Sequence, residues 1–144
     1  MSLFHKTEED SLTLTDKESV VALLFLTVTA DGAIHPTEEE LVIAASNRMK
    51  ILRALAIPEF NAVVQNIRDA IDAKSRPAVF SAAVKGLPSD LRDTVYALAA
   101  DIVFADGRTE AEELTFLREI QTALEIPDDL ATKVIEVVRI KNKG

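Results

Sequence analysis

Two copies of one acidic turn restrict the fold of this chain more than any other feature. The first runs Ala30-Asp31-Gly32-Ala33-Ile34-His35-Pro36-Thr37-Glu38, and the second Ala105-Asp106-Gly107-Arg108-Thr109-Glu110-Ala111-Glu112-Glu113. Each reads Ala-Asp-Gly with a Glu seven residues after the Asp, and the copies stand 75 residues apart. The same ungapped shift lays Val20 on Val95, Ala22 on Ala97, Leu23 on Leu98, Val28 on Val103 and Ile51 on Ile126. Apolar segments flank both turns, so the unit repeated is a helix–turn–helix. The duplication predicts an approximate internal two-fold, with the two apolar helices that precede the turns lying side by side.

Composition narrows the class further. A chain of 144 residues defaults to one domain. Its 48% hydrophobic content is enough for a core without staples. The absence of cysteine removes disulfides, thiolate metal sites and thiol chemistry. Four glycines and five prolines, with Ala, Leu, Glu and Ile abundant, predict an all-α fold. A formal charge of −8 makes nucleic acid and anionic membrane surfaces poor partners, and cations or basic protein faces good ones. The first ten residues lack the cationic and apolar regions of a signal peptide. The nearly uncharged run at 19–30 is shorter than the ~20 residues that span a bilayer. The expectation is therefore a soluble, cytoplasmic protein with no direct membrane insertion.

Read in order, the chain predicts a compact bundle of about seven helices: an irregular arm over 1–14, then a single domain over 15–144. Leu12 and Leu14 are expected to tuck the arm against the domain. Thr15-Asp16-Lys17-Glu18 is a capping box that opens the first helix. Val20, Val21, Leu23, Leu24, Phe25, Leu26 and Val28 make that helix apolar nearly all round, which places it centrally. A second helix starts near Pro36, a third at Pro58, and a short fourth spans about Pro77 to Lys85, with Lys74-Ser75-Arg76-Pro77 as a polar link and Gly86 as its stop. Pro88-Ser89-Asp90 opens the fifth helix, and Thr109-Glu110-Ala111-Glu112 caps the sixth. Ile126-Pro127-Asp128 starts a last helix that ends in Arg139, Lys141 and Lys143, cations suited to a helix C-terminus.

The acidic turn matches the second half of an EF-hand loop, but the first half is missing. Counting back places Thr27 and Thr29 at the first ligand positions of one copy and Ile102 and Phe104 in the other. Hydroxyls are weak calcium ligands and hydrocarbon side chains are none, so the second copy argues strongly against a regular EF-hand. Two readings of the turns stay open. In one, Asp31 and Asp106 accept backbone N–H groups within the turn. In the other, the internal two-fold gathers Asp31, Glu38, Asp106 and Glu113 around a divalent cation. Asp101, whose counterpart is Leu26, is either an exposed residue or an extra acidic member of that cluster. His35 is a fourth ligand or general base, or else a helix cap, its counterpart being Glu110.

The repeated Ala-Asp-Gly-x-Ile-x-x-x-Glu turn in an acidic all-α chain resembles the TerB family, which takes in the tellurite-resistance TerB proteins and the amino-terminal domain of DjlA-type co-chaperones. The resemblance covers roughly residues 15–140, and the second copy departs from it with Thr109 where the first has Ile34. It implies a compact helical bundle with an internal repeat, an acidic metal-binding surface, and a role in tellurite and stress resistance within a membrane-associated protein complex. By motif position, Asp31, Glu38, Asp106 and Glu113 carry the family's acidic residues. No cofactor is expected beyond that divalent cation.

Catalytic patterns are sparse. There is no Ser/His/Asp arrangement, no Gly-rich phosphate loop and no H-E-x-x-H zinc motif. The expected function is a non-enzymatic binding module. One alternative is a protein-interaction module, of co-chaperone or scaffold type, that uses an acidic face without a metal. A second is a hydrolase using the paired carboxylates. A homodimer remains open.

Overall fold

The computed structural model describes residues 12–30, 57–105 and 111–143. Among them are six α-helices and no strand: α1 (Asp16–Val28), α2 (Ile57–Ala73), α3 (Arg76–Gly86), α4 (Arg92–Val103), α5 (Ala111–Ala123) and α6 (Asp128–Lys141). The helix expected to start near Pro36, and the Thr109-Glu110 half of the second capping box, lie outside the described residues. An all-α bundle is what the sequence predicts, and the described helices match six of the seven expected. None of them is long and apolar enough to cross a membrane.

The first helix begins as its local chemistry dictates. Thr15 Oγ1 accepts the Glu18 N–H at 3.2 Å, while Glu18 Oε1 accepts the Thr15 N–H at 2.9 Å. Two orphan donors are thereby satisfied by two side chains three residues apart. From Ser19 to Thr29 every residue of this segment is buried. Helix α1 packs against α2, α3, α4 and α5, which is why it has no polar face. Its buried hydroxyls bond back along the helix, Thr27 to the Leu23 carbonyl at 2.7 Å and Thr29 to the Phe25 carbonyl at 2.9 Å. That satisfaction is the condition for placing them in a core.

Helix α4, the repeat counterpart of α1, packs directly on it and also contacts α5 and α6. Val95, Tyr96, Ala99, Ala100, Ile102 and Val103 are buried, whereas Asp101 lies on the less buried side. The helix opens through a single 3₁₀ turn, Ser89–Leu91, after Pro88. Leu14 joins the core and Leu12 packs against it.

The chain reversals add detail to the sequence reading. The link before α3 is a cap: Ser75 Oγ accepts the Ala78 N–H at 3.1 Å. Gly86 closes α3 without a left-handed turn, and its bare Cα instead lets the helix end approach another segment. A Cβ built there would overlap Ser19 Oγ and lie 2.6 Å from the Leu14 carbonyl oxygen. The left-handed residue after α5 is Glu125, with φ 57°. The next amide, that of Ile126, bonds the Gln121 carbonyl at 2.9 Å, and this closure holds a non-glycine residue in that conformation.

Candidate functional site

The two helices that feed the acidic turns, α1 and α4, end with no basic residue of their own in the last turn. Their carboxyl ends carry partial negative charge, and the Asp that follows each one adds to it. The fold supplies cations from later in the chain. At the end of α1 the Arg76 guanidinium donates to Thr29 Oγ1 at 2.9 Å and to the Leu26 carbonyl at 3.1 Å. At the end of α4, Lys141 Nζ pairs with Asp101 Oδ1 at 2.8 Å, and Asn142 Nδ2 donates to the same oxygen at 3.1 Å. The Arg139 guanidinium lies 5.9 Å from the centre of the Phe104 ring.

These contacts settle several sequence-level alternatives. Thr29, a nominal EF-hand ligand position, donates to its own helix and accepts from Arg76, so its oxygen serves the helix end. Asp101 is 18% exposed at its side chain and is engaged by two groups from the end of α6. It fastens the last helix to the end of α4. Glu113 stands half-buried in the first turn of α5. Asp31, Glu38, Asp106 and His35 lie outside the described residues. Among the described residues no group of three or more His, Cys, Asp or Glu is placed to hold a metal.

The same end of the bundle carries a cleft of about 640 Å³ between the end of α1, the start of α3 and one face of α5. Its apolar wall includes Leu26, Pro77, Phe80 and Phe116. The Phe80 and Phe116 rings meet edge to face, 5.5 Å between centroids and 62° between planes, which joins α3 to α5. Arg76 also lines it, and Glu112 and Glu119 come from the α5 face. Residues 112, 115, 116 and 119 of α5 recur at three- and four-residue spacing, so a single helical face lines the cleft.

The lining brings the two repeats together. Ala30, which leads directly into Asp31, lines this cleft together with Ala111 and Glu112, which adjoin Glu113. The exposed carboxylates of Glu112 and Glu119 make no ion pair among the described residues. Oxygen donors of this kind fit a hard divalent cation of the calcium, magnesium or manganese type, which takes carboxylate and carbonyl oxygens. Arg76, Glu119 and the Phe80–Phe116 pair were not singled out by the sequence reading. The absence of a cation in the last turn of α1 was a usable signal for Arg76, because a buried helix end needs compensation from somewhere. Nothing in the local sequence says which of the 16 basic residues supplies it.

Comparison with known proteins agrees with this architecture. Neither a curated protein nor a solved structure matched the chain. The family model described as tellurite resistance protein TerB matches residues 18–134, from the first turn of α1 into α6. On that match, over most of its length, the chain belongs to the TerB family.

Proposed function

We propose that the protein is a non-catalytic binding module of the tellurite-resistance and stress-response type, working in the cytoplasm with a protein partner that is part of a membrane-associated complex. Its working feature is the pair of acidic turns, whose Asp31, Glu38, Asp106 and Glu113 hold a divalent cation. One observation carries this reading: Ala30 and the Ala111–Glu112 pair, neighbours of the two acidic turns, line the same cleft. Nearby, Arg76 bonds the end of α1 and Lys141 pairs with Asp101. The test is titration calorimetry with Ca²⁺, Mg²⁺, Mn²⁺ and Zn²⁺ on the wild type and on the D31N/D106N double variant. Saturable heat in the wild type, weakened at least tenfold in the variant, supports the site. The absence of saturable heat in both removes the cation.

A second reading draws on the apolar wall of the cleft. Leu26, Pro77, Phe80 and Phe116 edged by Glu112 and Glu119 suit a basic amphipathic segment of a partner protein, held without a metal. A partner retained in chelator but released by salt, and lost in an E112Q/E119Q variant, favours this reading over the first.

A further inference from the structure

A second cleft lies on the other side of α5, between α4, α5 and α6, with a volume of about 660 Å³. Its chemistry is the opposite of the first. Tyr96, Phe104, Leu117 and Ile135 give it an apolar floor, while Arg118, Arg139 and Lys143 line it as cations. Among the described residues no carboxylate lines it, and none of these three cations makes an ion pair. Asp101, on α4, is already held by Lys141 and Asn142. In a chain of net charge −8, three cations around one concavity run against the overall field.

Tyr96 adds an independent observation. The residue is only 1% exposed and lines the cleft. Burial raises its pKa above the usual 10.0, so it is a donor at neutral pH. The site therefore offers one neutral donor, two guanidinium forks and an ammonium above an apolar floor. The forks match the two oxygens of a carboxylate.

We propose that this cleft binds a small organic anion with an apolar body, an acyl carboxylate whose chain lies on Leu117 and Ile135 and whose head is held by Arg118, Arg139 and Lys143. The volume lies within the ~300–1,000 Å³ usual for small-ligand sites. The site is separate from the acidic turns and stands or falls independently of the cation.

The protein supplies its own reporter, because Tyr96 is the sole tyrosine and there is no tryptophan. The probe is decanoate, kept below its micelle concentration and titrated into the full chain at neutral pH, with tyrosine emission and calorimetry as readouts. Decanol and inorganic phosphate serve as separate arms. The expected result is saturable 1:1 binding of decanoate that weakens with salt, with decanol and phosphate each bound roughly tenfold more weakly or worse. An R118Q/R139Q variant, altered only at exposed positions, should lose roughly tenfold or more in affinity with unchanged circular dichroism. A K85Q control, which changes net charge with the same sign at an exposed position outside this cleft, should bind decanoate as the wild type does. Lack of saturable binding, equal affinity for decanol or for phosphate, or undiminished binding by R118Q/R139Q would overturn the proposal.

Discussion

Replacing Gly86 by alanine tests the close approach between the end of α3 and the start of α1. The added Cβ would overlap Ser19 Oγ and sit 2.6 Å from the Leu14 carbonyl oxygen. The serine side chain can rotate away, but the carbonyl belongs to backbone held by the capping box at Thr15 and Glu18. Overpacking of this kind costs about 1–3 kcal/mol, and a rigid backbone neighbour places it toward the upper end. Alanine regains up to ~1 kcal/mol of helix propensity over glycine, less in a last turn. The net expectation for G86A is a destabilisation of about 1–2 kcal/mol, or about 3–8 °C in Tm for a domain of this size. Thermal and urea unfolding followed by circular dichroism measure it. The S19A variant sharpens the reasoning: the Ser19 hydroxyl is buried without a hydrogen-bond partner, so its removal should be neutral or slightly stabilising. The S19A/G86A pair should recover only part of the loss, since the Leu14 carbonyl remains in the way. A G86A protein as stable as the wild type, or more so, would refute the close-approach argument and leave Gly86 as an ordinary helix end.

Two further predictions use the helix ends and the buried phenol. R76M removes both hydrogen bonds to the end of α1 and should cost about 1–3 kcal/mol, whereas R76K, which keeps the charge but not the fork, should cost less; a urea midpoint unchanged in R76M would show that the cap is dispensable. The sole tyrosine should titrate above pH 10 by ultraviolet difference absorbance, because burial disfavours its phenolate. With the folded pKa raised above the unfolded one, the folded state holds the proton more tightly. The associated stability is complete below about pH 10 and is lost as pH rises through the folded value. Y96F should therefore flatten the alkaline limb of the stability profile, and an unaltered limb would assign that loss to other groups.

Local chemistry was legible in the sequence. The Thr15–Glu18 capping box links side chains and amides three residues apart, so nothing distant is needed to form it. The uniform apolarity of residues 20–28 forced α1 into the centre, because a helix with no polar face has nowhere else to go. The register of the repeat likewise paired α1 with α4, and they pack together. The helix stop at Gly86 was legible, but a glycine at a helix end has two uses, a left-handed turn or a close approach. Only the neighbouring segment distinguishes them.

The sequence by itself determined the helices, the central place of α1 and the membership of the family, since all three follow from periodicity and motif within short windows. The tertiary structure alone decided which charges meet. Arg76 reaches partners 47 and 50 residues away, and Asn142 reaches Asp101 across 41. It also turned the two sides of α5 into an acidic cleft and a basic one, with Glu112 and Glu119 on one and Arg118 on the other. The physical reason is range: a helix is written by neighbours a few residues apart, whereas a charged side chain acquires its partner only when packing fixes where distant helix ends lie.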